Sequence, residues 1–215
     1  MNTITFEGVM PRIFQNEPDF LSEVWSKHIV FEKGKKYLLE AQSGKGKTTL
    51  CSYILGHRND YAGEIFFDRK NIRSLSAKEW VALRRTSLSL LFQELRLFPE
   101  LTAAENVFIK NDLTHHASEA SIRGMFDELD IADKWNVPVG MMSFGQQQRL
   151  ALIRALASPF DFLIVDEPIS HLDEENANIM AGMIAREVNR KGAGLIVTSI
   201  GQRLPLDYDI IYKGL

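Results

Sequence analysis

Ala41-Gln42-Ser43-Gly44-Lys45-Gly46-Lys47-Thr48-Thr49 is the stretch whose reading decides the fold. The apolar run Tyr37 to Leu39 precedes it and the apolar stretch Leu50 to Leu55 follows, so the pattern predicts a strand, a glycine-rich turn and a helix start. Gly44 and Gly46 have no side chain to block an approaching anion, so backbone N–H groups there can point inward at one. The helix starting near Lys47 adds the positive end of its dipole. Lys47 has the reach to meet the β- and γ-phosphates of a nucleotide as a point charge, and the Thr48 hydroxyl suits Mg²⁺. Ser43, Lys45 and Thr49 complete the candidate cradle. Ala41 stands where such loops carry glycine, a change the backbone tolerates if φ stays negative there.

The whole chain agrees with an α/β reading. Its 215 residues, 45% hydrophobic, can bury one real core, with room for a subdomain. Lys plus Arg number 25 against 28 for Asp plus Glu, a net charge of −3, which argues against a general nucleic-acid binder. The single Cys51 rules out an internal disulfide and fits a reducing compartment; in the helix after the loop it reads as a small buried apolar residue. The opening MNTITFEG lacks an export signal and no run reaches 18 apolar residues, so a soluble cytoplasmic protein is expected.

Along the chain, Thr3 to Phe6, Trp25 to Phe31 and Gly63 to Asp68 read as strands, the last alternating as an antiparallel one does. Capping boxes start helices at Ser76/Glu79, Thr102/Glu105 and Ser143/Gln146. Ser118 to Leu129 places Ile122, Met125, Phe126 and Leu129 on one helical face. Leu88 to Gln93 is a short apolar strand. The second half alternates strands and helices: DFLIVDEP, a helix over about 173–190, GLIVTS and DIIYK. The expectation is one domain over 1–215. About 1–92 and 143–215 form a core with a mostly parallel sheet flanked by helices and an antiparallel β subdomain. About 93–142 forms a helical subdomain.

Phe162 to Glu167 reads FLIVDE. A buried strand beside a phosphate loop can deliver one acid, Asp166, to Mg²⁺ through a bound water. The next acid, Glu167, is placed to polarise an attacking water as general base. Gln93, ending another strand, can offer its amide to Mg²⁺ or to water, although on chemistry alone a surface glutamine is the commoner reading.

With MSFGQQQRLALIRALA followed by DFLIVDEPISHLD, the chain resembles the ATP-binding subunits of ABC transporters. The family's order is phosphate loop, Gln loop, signature, acidic strand, Leu-Asp turn and switch His. It is met at Ala41 to Thr49, Gln93, Met142 to Gln146, Phe162 to Glu167 and Ser170 to Asp173, and the likeness runs from about Phe6 to Lys213. The stretch LRRTSLSLLFQELRLFPELTAAENV is similar to the lipoprotein-releasing, macrolide-exporting and cell-division ATPases. The resemblance implies a P-loop NTPase fold, ATP and Mg²⁺ as cofactors, and two ATP-binding subunits paired head to tail, alike or different. Each ATP would lie between Lys47 of one subunit and Ser143, Gly145 and Gln146 of the other. It implies an adenine-stacking aromatic, for which Phe14 is the candidate, and an interface residue, Asp173, which serves equally as a helix N-cap. It also implies a separate transmembrane subunit that would hold the chain at the cytoplasmic face. Leu95, Leu97 and Phe98 read as exposed apolar residues for its docking.

Two positions depart from the family pattern. Phe144 replaces a signature glycine between Ser143 and Gly145. Ser199 stands at the switch histidine, with less reach and no cationic form, which bears on turnover rather than on ATP binding. Three functions compete. The first is an ATPase subunit driving a membrane protein. The second is an ATP-gated interaction module that hydrolyses slowly. The third is a soluble DNA-repair or ribosome-associated ATPase, disfavoured because the chain has no coiled coil, tandem domain or basic extension.

Overall fold

A computed structural model describes residues 1–16, 21–168 and 174–215. Two sheets organise them. The first joins β1 (Thr3–Pro11), β2 (His28–Glu32), β4 (Tyr61–Phe67) and β5 (Lys70–Asn71) in the order β2-β1-β4-β5, all antiparallel. The second joins β3 (Lys36–Glu40), β6 (Leu88–Leu91), β7 (Phe162–Asp166), β8 (Gly194–Ser199) and β9 (Ile210–Lys213) in the order β6-β7-β8-β3-β9, all parallel. Every residue of β6, β7 and β8 is buried, which explains why their sequences are apolar runs without alternation.

The register of the parallel sheet sets the function. Asp166 and Leu39 both pair with Thr198, and Glu40 pairs with Ser199. The carboxyl ends of β3, β7 and β8 therefore end level, and the turns leaving them share one edge of the sheet. Open parallel sheets bind ligands outside such an edge.

Helices cover both faces. α1 (Lys47–Ile54) packs with the antiparallel sheet around Trp25, Tyr37 and Tyr53, all fully buried. α3 (Ala103–Asn111), α4 (Glu119–Glu128), α5 (Phe144–Leu156) and α6 (Glu174–Lys191) share the other core. α2 (Ala77–Thr86) adjoins β6. The expected capping boxes at Ser76, Thr102 and Ser143 all form, each satisfying N–H groups that the first helical turn leaves open. α3 and α4 fall inside the stretch expected to be helical. α5 packs on both, so the helical layer runs past Met142 into α5.

Candidate nucleotide site

The turn after β3 has the backbone expected of an anion cradle. Gly44 and Gly46 have φ of 79° and 97°, left-handed values that side chains disfavour. At Gly46 a Cβ would also stand 3.0 Å from the Phe14 ring and 3.2 Å from the Trp25 indole, so only glycine fits. Trp25 Nε1 donates to the Lys45 carbonyl at 3.3 Å and braces the turn from beneath. Gly46 is also the N-cap of α1 and contributes no side-chain bond, which leaves the N–H groups of the first turn for an outside acceptor.

Lys47 is buried at the mouth of this cradle. Its ammonium donates to the carbonyls of Ala41 and Gln42, each at 2.8 Å, and lies 3.2 Å from Glu167 Oε1. The other oxygen of Glu167 accepts from Gln93 Nε2 at 2.9 Å. Lysine, glutamate and glutamine thus form one polar chain from three different turns. Glu167 is itself held in a left-handed conformation, φ 48°, a strained state for a non-glycine residue and the kind kept at working sites. Its N–H donates to both the carbonyl and the hydroxyl oxygen of Thr198, each at 3.2 Å. The Thr198 hydroxyl donates in turn to Asp166 Oδ1 at 2.5 Å. One threonine therefore positions both acids. Asp166 is buried close to Cys51; burial first, and that carboxylate second, push the Cys51 thiol well above its ordinary range. Cys51 is thus the buried, unreactive residue that its place in α1 indicated.

An open cleft of about 250 Å³ brings together Ser43, Gly44, Gly46, Lys47, Thr48, Thr49, Gln93 and Glu167. Ile13, Phe14, Arg58 and Ile200 complete its lining. Lys47, Gln93 and Glu167 mark one end. Phe14 is 6% exposed and packed against Gly46, whereas Ile13 beside it is 68% exposed. Arg58 donates to the Thr49 hydroxyl at 3.2 Å while pairing with Asp60. The residues fit a magnesium-bound nucleoside triphosphate: a buried ammonium, left-handed glycines and a helix start for phosphates, and hard oxygens on Thr48 and Asp166 for the ion.

Other expected site residues lie elsewhere. Ser143 and Gln146 bond each other at the exposed start of α5, outside this cleft, with Gly145 between them. Ser199 is buried at the end of β8; its hydroxyl donates to the Gln202 carbonyl and accepts from Gly201 N–H at 3.0 Å. The cleft takes Ile200, not Ser199, into its lining. Asp173 lies outside the described residues, as do Ser170, His171 and Leu172.

Of the surface expected at Leu95, Leu97 and Phe98, Phe98 is exposed and Leu95 needs correction. Leu95 is buried, because the chain turns back there with φ of 58° at Leu95 and 49° at Arg96. Phe98 is half exposed, its backbone clamped by the Asn106 amide. A groove of about 290 Å³ is lined instead by Phe92, Arg96 and Ile109 together with residues of α2, β6 and α5.

Sequence reasoning missed Thr198, Trp25, Ile13 and Arg58. Thr198 alone among them had a visible signal: a hydroxyl near the end of the buried strand GLIVTS needs a partner. The others depend on how the first sheet folds back over the loop.

Comparison with known proteins gives the family and the fold. The family model described as ABC transporter matches residues 27–170. A lipoprotein-releasing system ATP-binding protein, LolD, of Aquifex aeolicus is 34% identical over 172 residues, 78% of this chain and 76% of its own. An uncharacterized ABC transporter ATP-binding protein of Mycobacterium tuberculosis is 31% identical over 80% of this chain and 53% of its own length, so this chain spans about half of that relative. Among solved structures, a dimeric bacterial ABC transporter cassette superposes with a TM-score of 0.76 at 24% identity, covering 92% of this chain and 88% of that one.

Proposed function

This chain belongs to the ABC transporter family, and from that premise we propose that it binds and hydrolyses MgATP as one half of a head-to-tail pair and drives a separate membrane protein. The observation that carries this reading is the polar chain Lys47–Glu167–Gln93, with Lys47 and Glu167 buried, at the mouth of a glycine-braced phosphate cradle. When bound, MgATP supplies the scissile phosphate bond and a metal that neutralises its charge. Lys47 exchanges Glu167 for phosphate oxygens. Thr48 and Asp166 would hold the ion. Glu167, freed from Lys47, takes the proton of the attacking water, and Gln93 orients that carboxylate. Ser43 to Thr49 hold the phosphates through backbone N–H groups and hydroxyls.

The start of α5 supports the pairing. Gly145 has ordinary helical backbone and, among the described residues, open space where a Cβ would stand, so none of these requires a glycine there. A helical glycine costs about 1 kcal/mol against alanine. Its smallness suits a partner that approaches closely from outside, with Ser143 and Gln146 beside it. Met141 and Phe144 there are 79% and 47% exposed, and Ile13 and Ile200 at the cleft rim are also exposed. Pairing head to tail sets these apolar rims against each other. A similar cassette has been solved as a dimer. Asp173 belongs to the same proposed interface.

The groove beside Phe92 and Arg96 serves the membrane partner. Those residues bracket Gln93, so what sits there bears on the bond from Gln93 to Glu167. No helix among the described residues is long and apolar enough to cross a membrane. The chain is placed at the cytoplasmic face through its partner, with a relative named for lipoprotein release pointing to envelope work.

A second reading has its own observation. The Ser199 hydroxyl is engaged within its own turn and lies outside the cleft lining, which favours an ATP-gated module with slow hydrolysis. Steady-state MgATP turnover, measured with and without the membrane subunit, tests both. Hydrolysis abolished by Lys47→Ala supports the first. Tight MgATP binding with no turnover in either state supports the second.

A further inference from the structure

Besides Lys47, the described lining of the nucleotide cleft holds a second cation, Arg58, to which the functional reading gives no role. Arg58 follows α1, so the chain must turn back to bring its side chain to the helix start. Gly56 makes that turn: its φ is 64°, and a Cβ there would stand 2.5 Å from the Trp80 ring. The carbonyl of Asp60 then accepts from the Tyr53 hydroxyl at 3.0 Å and from the N–H of Arg12 at 3.0 Å. Asp60 is thereby tied both to α1 and to the turn that carries Ile13 and Phe14. Its carboxylate takes the Arg58 fork, Nε at 2.9 Å and Nη2 at 2.5 Å, and these bonds hold it below the usual carboxylate range. The remaining nitrogen, Nη1, donates to the Thr49 hydroxyl at 3.2 Å.

Both members of the Arg58–Asp60 pair are about 40% exposed, and such a pair adds little to stability. What it does is aim a guanidinium. That group carries five N–H donors. Asp60 and Thr49 take three of them, which leaves two for a guest in the cleft that Arg58 lines. Thr49, having accepted from Arg58, keeps its own hydroxyl hydrogen to give. The order of groups along the cleft decides what these donors meet. Lys47, beside Gln93 and Glu167, takes the terminal phosphates. Ile13 and Phe14, the candidates for the base, sit on the turn bonded to Asp60. The phosphate next to the ribose lies between those two ends, and Thr49 and Arg58 are the donors there.

We propose that Arg58 is a nucleotide-binding residue: its guanidinium, held in place by Asp60, grips the α-phosphate of the nucleotide together with the Thr49 hydroxyl. The proposal rests on the reading of the Lys47 cleft as the MgATP site. It adds a consequence for selectivity. ATP and ADP carry the same α-phosphate, so Arg58 binds both alike and helps the site retain its product. The α-phosphate takes no part in the bond that breaks, so this contact is made equally before and during the reaction. Its loss should raise KM and leave kcat unchanged.

The test is calorimetric titration of the full chain with MgATP, with MgADP and with the two diastereomers of ATPαS, in which sulfur replaces one or the other α-oxygen. Arg58→Ala should weaken MgATP and MgADP by the same factor, about ten-fold, as for the loss of one charge-assisted hydrogen bond. Sulfur accepts hydrogen bonds poorly, so the parental protein should bind one diastereomer several-fold more weakly than the other. Arg58→Ala should lose most of that preference, which a general loosening of the cleft would not erase. Arg73→Ala removes an exposed arginine outside the cleft lining and should leave all four affinities unchanged. Unchanged affinity in Arg58→Ala overturns the proposal, as does a loss confined to MgATP. So does a diastereomer preference that is absent from the parental protein or survives the substitution. Failure of the underlying reading shows separately, as a parental protein that binds neither nucleotide, or one whose affinity Lys47→Ala leaves intact; the proposal falls with it.

Discussion

Consider removal of Lys47 in the absence of nucleotide. Its ammonium lies 3.2 Å from Glu167 Oε1, and both side chains are less than a tenth exposed. At an effective dielectric constant of about 20 the attraction is about 5 kcal/mol. Desolvating two such ions costs several kcal/mol each, so the pair as a whole adds little net stability. Removing one partner is a different matter, since a buried carboxylate is left with Gln93 and backbone alone; such losses run to about 3–5 kcal/mol. Lys47→Ala should therefore lower the stability of the nucleotide-free protein by about 3 kcal/mol. Glu167→Gln should cost under about 1 kcal/mol, because Lys47 keeps its two carbonyl partners and Gln93 keeps an acceptor. In the double variant no buried charge is stranded. Urea unfolding of all four proteins yields the coupling energy, expected to exceed about 1.5 kcal/mol. Additive losses would mean that Lys47 and Glu167 do not meet in the nucleotide-free protein.

Four further outcomes follow from named contacts. Phe14→Ala should cost about 3–5 kcal/mol of stability, as for a buried aromatic; Ile13→Ala should leave stability unchanged and weaken MgATP binding, and calorimetric titration of each locates the base platform. Ser199→His should raise turnover about ten-fold, below the 10²–10³-fold that one well-oriented donor can give; an unchanged rate, with a large loss in Gln202→Ala, would show that another group acts there. Gly145→Leu should leave the monomer as stable or more so, since a Cβ meets nothing there, while MgATP hydrolysis drops at least ten-fold. Lys110 and Lys191, each lowered to about 8, release protons on folding above that value. The unfolded chain then holds more protons, so stability should rise with pH between about 8 and 10.4. Lys110→Met should flatten part of that rise in thermal melts, and an unchanged slope would contradict the burial of this ammonium.

Local pattern made much of the fold readable. Capping boxes at Ser76, Thr102 and Ser143 set helix starts within the chain itself, and the apolar runs of β7 and β8 read as buried strands. The phosphate cradle was legible because glycine spacing and a lysine carry their own geometry. What was not legible depended on long-range register. That Thr198 serves both Asp166 and Glu167 follows from β7 pairing with β8, and no local spacing reports it. Phe14 and Ile13 are adjacent in sequence, yet Phe14 faces Gly46 and the core while Ile13 stands open, a choice made by the turn after β1. Leu95 reads as exposed in sequence, but a left-handed turn folds it inward.

The Lys47 cleft and the start of α5 are proposed to form one composite ATP site across two copies. Light scattering of Glu167→Gln, with and without saturating MgATP, tests it most directly. The mass should double only with MgATP, and the doubling should be lost when Ser143→Arg is added, with nucleotide binding to the monomer retained. A protein that binds MgATP at the Lys47 cleft yet stays monomeric at every concentration tried would contradict it.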